Sequence, residues 1–223
     1  MQKNKIILIS AILIIILAVL AGVYAFSRNK SSVPAGINTE LKNDEVAETG
    51  GQNTAPAENQ AKMDNTIAGN NQLVTDDFSI ELPAGWSKTI NTAEQVTAMA
   101  ANQNEVIDDP AVQKISFKSY LAVSTEAIPG KTLEEYMQSV KDELQKAVPG
   151  VVFANENNIT INGRPARAIE LEMAQRGADF KVLIVAARGD GDAVWVMSYN
   201  TAKSSWDNYK EAFSASAKSF ILK

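Results

Sequence analysis

The fold is decided by residues 157–200, which read NNITINGRPARAIELEMAQRGADFKVLIVAARGDGDAVWVMSYN. This stretch contains four strand-like runs of β-branched, aromatic and alternating residues, at 157–162, 165–173, 179–188 and 193–200. Asn162-Gly163 and Asp190-Gly191 lie between runs as short-hairpin signals, and residues 175–178 supply the middle turn. Consecutive hairpins predict an antiparallel meander.

Two amphipathic helices flank the meander. Thr132 and Glu135 form a capping-box pattern, and Pro149-Gly150 ends the apolar spacing that follows. That stripe consists of Leu133, Tyr136, Met137, Val140, Leu144, Ala147 and Val148. A second helix is predicted from Ser204 or Ser205, and its apolar face carries Trp206, Tyr209 and Phe213 ahead of Phe220-Ile221-Leu222.

The region before residue 130 contains shorter secondary-structure patterns. Phe78 to Leu82 alternates apolar and polar residues before Pro83-Ala84-Gly85, which predicts a half-buried strand. Thr92-Ala93-Glu94-Gln95, followed by Val96, Met99 and Ala100, predicts a short helix. Residues 112–124 are strand-like. All these elements fit an α+β domain with a single twisted antiparallel sheet and amphipathic helices packed on it.

Several short motifs resemble the PsbP-like family. They are the FSIELPAGW opening at residues 78–86, LEEY at 133–136, NGRPA at 162–166, a strand that contains Trp195 and the closing SFIL at 219–222. The resemblance spans residues 73–223 as an order of elements. It implies an α/β/α sandwich and a class of mostly non-enzymatic accessory or binding proteins. The role of the photosystem relative does not transfer, because its metal contacts are associated with His and this sequence has none.

Composition removes the commonest catalytic chemistries. The 223 residues include no His and no Cys, which excludes imidazole acid-base catalysis, Cys-His and Ser-His-Asp triads, thiolate metal sites and disulfides. The formal net charge is −5, and no basic stripe is visible, which argues against nucleic acid as a partner. We therefore expect neither cofactor nor metal.

The amino-terminal segment is predicted to be a membrane anchor. Ile6 to Phe26 reads IILISAILIIILAVLAGVYAF, 21 residues without charge, and as a helix it would reach about 31 Å. Residues 1–30 are thus interpreted as a signal-anchor, with Lys3 and Lys5 on the cytoplasmic side. The alternative is a signal peptide cleaved near Ala25, which leaves a secreted protein. Either interpretation places the remaining chain on the extracytoplasmic side.

Residues 31–72 are predicted to form a disordered acidic linker. They are rich in Gly, Pro, Ser, Asn and Gln and contain no aromatic residue, so they cannot bury enough apolar surface to fold. A coil of this length would span about 35 Å. Residues 73–223 hold all three Trp and form the single globular domain, which we expect to be monomeric.

The candidate partner-contact residues lie at the two hairpin tips. They are Asn162, Gly163 and Arg164 at the first tip and Asp190, Gly191 and Asp192 at the second. Hairpin tips are exposed positions on a rigid scaffold and often carry binding residues. Turn chemistry alone also explains these residue types, and Arg188-Gly189-Asp190 is interpreted as a turn rather than an adhesion motif.

Other groups of residues give only weak evidence for a binding or catalytic site. Asp190 and Asp192 could offer oxygens to calcium, but the later bidentate carboxylate of a calcium loop is missing. The pairs Asp76-Asp77 and Asp108-Asp109 are interpreted as solvated loops. Trp86, Trp195 and Trp206 are predicted to be core residues rather than a ligand cleft.

The sequence thus predicts a non-catalytic, membrane-tethered, extracytoplasmic binding or accessory domain. Its ligand is an unknown protein or envelope partner. The alternative is a carboxylate- or Ser-based extracytoplasmic hydrolase, which would need carboxylates that converge in a cleft.

Overall fold

The computed structural model describes residues 67–90 and 95–223. The predicted anchor, residues 31–66 of the predicted linker and the capping-box residues 92–94 lie outside the described residues. No helix within the described ranges is long and apolar enough to cross a membrane. The first strand begins at Ile67, inside the stretch that the sequence assigns to the linker.

The described residues form ten strands, three α-helices and one 3-10 turn. In chain order these are β1 Ile67–Val74, β2 Phe78–Pro83, β3 Ser87–Thr89, β4 Ala98–Ala101, α1 Pro110–Lys114, β5 Tyr120–Ala127, α2 Leu133–Ala147, β6 Val152–Ile161, β7 Arg164–Gln175, β8 Ala178–Arg188, β9 Ala193–Ala202, the 3-10 turn Lys203–Ser205, α3 Trp206–Lys218 and β10 Ile221–Leu222.

The predicted meander is confirmed and forms the centre of a seven-stranded antiparallel sheet with the order β3-β4-β5-β9-β8-β7-β6. Its longest pairings are continuous: Ala166 to Gln175 of β7 pairs with Ala178 to Ala187 of β8. β9 then pairs with β8 on one side and β5 on the other.

The prediction of a single sheet is wrong, because β1, β2 and β10 form a separate three-stranded sheet. β2 buries Phe78, Ile80 and Leu82 against the second face of the seven-stranded sheet. A strand whose buried side chains face another sheet packs across it rather than pairing at its edge. The α+β class of the prediction is retained.

The two faces of the seven-stranded sheet carry different elements. α2 covers the first face with its apolar side, on which Leu133, Tyr136, Met137, Val140 and Leu144 are buried. The capping box is present as predicted, since Glu135 N donates to Thr132 Oγ1 and Thr132 N donates to Glu135 Oε2. Ala147, which the sequence placed in the stripe, is exposed. The second face is covered by α3 and the small sheet.

Two local predictions before residue 130 are wrong. Met99 and Ala100 lie in strand β4, not in a helix, because Ala98–Ala101 pairs with both β3 and β5. Val112 lies in the short helix α1, because Asp109 accepts the backbone N–H groups of Ala111 and Val112 and Pro110 occupies the first turn. The strand predicted from residue 112 begins only at Tyr120.

Candidate functional site

The first predicted tip is a tight turn that is held by its backbone conformation and by a side-chain hydrogen bond. Asn162 and Gly163 join β6 to β7 with φ values of 47° and 78°, the left-handed pair that an Asn-Gly hairpin turn requires. The Asn162 side chain donates from Nδ2 to the carbonyl oxygen of Phe220 at 2.6 Å. This bond attaches the tip to the segment that follows α3.

The second predicted tip joins β8 to β9. Gly189 N donates to Ala193 O at 2.9 Å and Ala193 N donates to Asp190 O at 3.1 Å, which closes the turn. A Cβ atom at Gly189 would lie 3.0 Å from Trp195 Cδ1 and 3.0 Å from the Ala193 Cβ. Glycine is therefore needed here because the indole ring packs directly on the turn.

The structure brings the two tips together. Arg164 Nη1 lies 2.8 Å from Asp190 Oδ1, and the two side chains are 36% and 83% exposed. An ion pair this exposed adds little to stability. The ion pair instead fixes positions, because it joins residues from two different hairpins into one surface.

A third connection, between β5 and α2, borders the same surface. Ile128 N donates to Asp192 O at 2.8 Å, and Arg188 Nη2 donates to Lys131 O at 2.8 Å. We call the combined area the tip surface and define it as Asn162, Gly163, Arg164, Asp190, Gly191 and Asp192 with Lys131 and Arg188. The sequence did not identify Lys131 as a member, and it assigned Arg188 only to the Arg188-Gly189-Asp190 turn and not to the contact residues. The signal for Lys131 was its position at a predicted boundary.

The tip surface is polar and of mixed charge. Arg164, Arg188 and Lys131 contribute three cations, and Asp190 and Asp192 contribute two carboxylates. The negative charge of Asp190 is paired with Arg164. The Asp192 carboxylate has no ion-pair partner among the described residues. Asp192 is exposed, so its charge is accessible to solvent.

Aromatic residues make the base of this surface rigid. The Phe78 ring lies 5.4 Å from Trp195 and 5.3 Å from Phe220, and Trp195 lies 5.9 Å from Phe220, measured between centroids. These edge and tilted contacts are favourable ring geometries. The cluster connects β2, β9 and the segment before β10 directly beneath the tips.

The chain joins the described domain at the opposite end from the tips. β1 is antiparallel to β2, so Ile67 lies opposite Pro83 while Val74 lies opposite Ser79, near Phe78. With about 3.3 Å per strand residue, the start of β1 lies on the order of 20 Å from the tip end. The tip surface and Ile67, the first described residue, therefore lie at opposite ends of the domain.

Other predicted residues have local structural roles. Asp109 is the N-cap of α1, and the Asp77 carbonyl accepts Lys223 N at 3.0 Å. The prediction that the three Trp residues are core residues is confirmed, since Trp86, Trp195 and Trp206 are 2%, 8% and 9% exposed. Among residues 67–90 and 95–223 no three acidic side chains converge in a way that could hold a metal ion.

A carboxylate and a serine meet at one buried position. Ser119 Oγ donates to Glu105 Oε1 at 2.9 Å, Ser119 N donates to Glu105 Oε2 at 2.6 Å, and Ser119 Oγ lies 2.7 Å from Thr201 Oγ1. Ser119 is fully buried, so a substrate does not reach its hydroxyl in this conformation.

Tyr209 lies next to this network. Asn102 Nδ2 donates to the Tyr209 hydroxyl at 3.0 Å. Burial, together with the charge of Glu105, raises the pKa of Tyr209 to about 12. The hydroxyl is therefore protonated at neutral pH and acts as a hydrogen-bonding group rather than a base.

The comparisons with known proteins support the fold. No protein-family model matches the sequence, and no curated protein matches it. Among solved structures, LpqN of Mycobacterium tuberculosis, described as involved in cell envelope biogenesis, is 14% identical, with a TM-score of 0.51 over 66% of this chain and 83% of LpqN.

Two further solved structures show a weaker similarity to this chain. The cyanobacterial PsbP protein CyanoP of Synechocystis sp. PCC 6803 is 16% identical, with a TM-score of 0.49 over 66% of this chain and 86% of CyanoP. The Ran-binding protein Mog1p of Saccharomyces cerevisiae is 11% identical, with a TM-score of 0.49 over 65% of this chain and 89% of Mog1p. The likeness to LpqN confirms the PsbP-like fold that the sequence motifs resemble. At these identities it defines architecture and not activity.

Proposed function

We propose that residues 67–223 act as a non-catalytic binding domain that uses the tip surface to hold a protein partner. The observation that carries this proposal is the 2.8 Å contact between Arg164 and Asp190, which unites two hairpin tips on one exposed surface. Exposed polar residues held on a rigid aromatic base are suited to recognition, because little ordering is needed when a partner binds.

The sequence favours a tethered mode of action, because an apolar segment and a linker precede the domain. If Ile6 to Phe26 is the anchor, the linker reaches the domain at Ile67, at the end opposite the tips. A tether of about 35 Å confines the domain and raises its effective concentration for partners in the same extracytoplasmic layer. We accordingly place the protein in the cell membrane with the domain outside the cytoplasm, as a monomer.

Removal of negative charge from the second tip tests the proposal. The double variant Asp190→Asn/Asp192→Asn keeps side-chain size and turn chemistry, so folding should be intact while partner capture falls several-fold. Capture is measured by chemical crosslinking of the full chain in its own cells. Asp179→Asn, an exposed residue near the β7–β8 turn at the opposite end, is the matched control and should leave capture unchanged.

Unchanged capture by a folded double variant would contradict the proposal. The alternative function, a hydrolase, is tested by a separate experiment. Turnover by the full chain in a hydrolase screen, abolished by Glu105→Gln with the fold preserved, would identify the Glu105–Ser119 pair as catalytic and replace the binding proposal.

A further inference from the structure

The first face of the seven-stranded sheet carries a polar stripe within its apolar core. Ser124 of β5 and Ser198 and Asn200 of β9 are at most 1% exposed. In the paired register Ala122 lies opposite Ser198 and Tyr120 opposite Asn200, so these side chains project from the same face of the two central strands. Neighbouring residues on this face, such as Val196, Val182 and Ile184, are apolar.

Two atoms of the stripe have no partner within the described chain. They are Ser124 Oγ and Asn200 Oδ1. The amide orientation of Asn200 is fixed, because Nδ2 donates to the Ser198 carbonyl at 3.0 Å and to Ser198 Oγ at 3.1 Å. A flipped amide would place two carbonyl oxygens against each other, so the Oδ1 atom must point away from Ser198.

Buried polar atoms in folded proteins are bonded to protein groups or to ordered water. The Ser198 hydroxyl accepts from Asn200 and still has a proton to donate. Ser124 is its diagonal neighbour across the strand pair, where Cα atoms lie about 7–8 Å apart. A water molecule spans about 5 Å between two oxygen partners and fits between two short side chains at this separation.

We propose that this stripe is an internal water site. One ordered water bonds Ser124 Oγ and Ser198 Oγ, and a further water donates to Asn200 Oδ1. The site takes water rather than an ion, because neither a carboxylate nor a cation belongs to the stripe.

The test is a crystal structure of the full chain at a resolution that shows ordered water. We expect density within hydrogen-bond distance of Ser124 Oγ and Asn200 Oδ1. In Ser124→Ala, which removes one oxygen from a small side chain, the density between positions 124 and 198 should be lost while that at Asn200 stays. Ser139→Ala is the control, since the Ser139 hydroxyl is bonded to the Glu135 carbonyl on exposed α2.

The proposal is overturned if neither position holds ordered water in the unmodified protein, or if a protein donor bonds Asn200 Oδ1. It is also overturned if the density at position 124 persists in Ser124→Ala. These outcomes are independent of the tip surface, so they leave the proposed function untouched.

Discussion

Asn162 holds the first tip through both its backbone and its side chain. Its φ of 47° lies in the left-handed region, and its amide bonds the Phe220 carbonyl at 2.6 Å. Asparagine tolerates this backbone conformation better than other residues with a side chain. The turn was predictable from the Asn-Gly pair, whereas the bond to Phe220 was not, because its partner lies 58 residues away.

The two contributions of Asn162 can be separated by two variants. Asn162→Ala loses the hydrogen bond and strains the backbone, and we expect it to lower the free energy of unfolding by about 2 kcal/mol. Asn162→Gly loses only the hydrogen bond and should lower it by about 1 kcal/mol. Chemical denaturation measures both values, and equal losses would show that backbone strain contributes nothing.

Glu156 links the edge strand β6 to α2 and β7. The hydrogen bond from Lys141 Nζ at 2.8 Å holds the pKa of Glu156 below its usual range, and Arg167 Nη2 at 3.0 Å adds to the effect. A carboxylate whose pKa is lowered in the folded state stabilises the protein above its unfolded pKa. That contribution is lost as the pH falls through the folded value.

Glu156→Gln should therefore cost up to about 1 kcal/mol near neutral pH and almost nothing under strongly acidic conditions. The comparison is made by urea denaturation at the two pH values. Glu211→Gln on the exposed side of α3 is the control and should show no such dependence on pH. A pH-independent cost for Glu156→Gln would mean that the ion pair is not its source.

At the scale of elements, α3 protects an edge of the small sheet. β10 pairs with β2 only at Phe78 and Ser79, which leaves Glu81 beyond its reach. Glu81 N donates to Ser219 Oγ at 2.9 Å, and Ser216 Oγ donates to the Glu81 carbonyl. Side chains at the end of α3 thus replace a missing strand, and β2 is closed to further pairing.

Ser219→Ala should expose this edge. We expect the Glu81 amide to exchange with deuterium at least about tenfold faster, the equivalent of losing about 1.4 kcal/mol of local protection. Native-state hydrogen exchange followed by NMR measures the rate. Ser214→Ala on α3 is the control and should leave Glu81 unchanged, and an equal acceleration in both variants would assign the effect to general loosening of α3.

Elements with long local patterns were predictable, and those defined by distant pairing were not. The meander, α2 and α3 follow from alternation, helical spacing and capping signals carried by each segment itself. β4 and α1 are only four and five residues long, too short for a period to emerge. β1 has the polar sequence IAGNNQLV and β10 has two residues, so the second sheet is specified by packing onto β2 rather than by local propensity.

The tip surface divides in the same way into features that were predictable from local sequence and features that were not. Each tip was identified from its turn residues. Their proximity depends on the register between β7 and β8, which places Ala166 opposite Ala187 and thereby sets Arg164 near Asp190. No property of either tip alone encodes that register. Lys131 joins the surface because α2 packs on the first face and its N-terminal end reaches the same end of the sheet.

At the scale of the whole molecule, the domain has two distinct ends. The tips, the Lys131 loop and the Thr75–Phe78 turn lie at one end, and the start of β1, the β7–β8 turn and the 3-10 turn before α3 lie at the other. In a chain tethered through β1, the point of attachment is at the second end, away from the tips. We propose that this tip end, and not the β1 end, contacts the partner.

Site-specific photocrosslinking of the full chain in its own cells distinguishes the two ends. A photoreactive residue replaces Asp192 at the tip surface or, as the matched position, the exposed Arg176 of the β7–β8 turn. We expect a discrete protein adduct from position 192, reduced by excess unlabelled protein and by Asp190→Asn, with no such adduct from position 176. A discrete protein adduct from position 176 alone would contradict it.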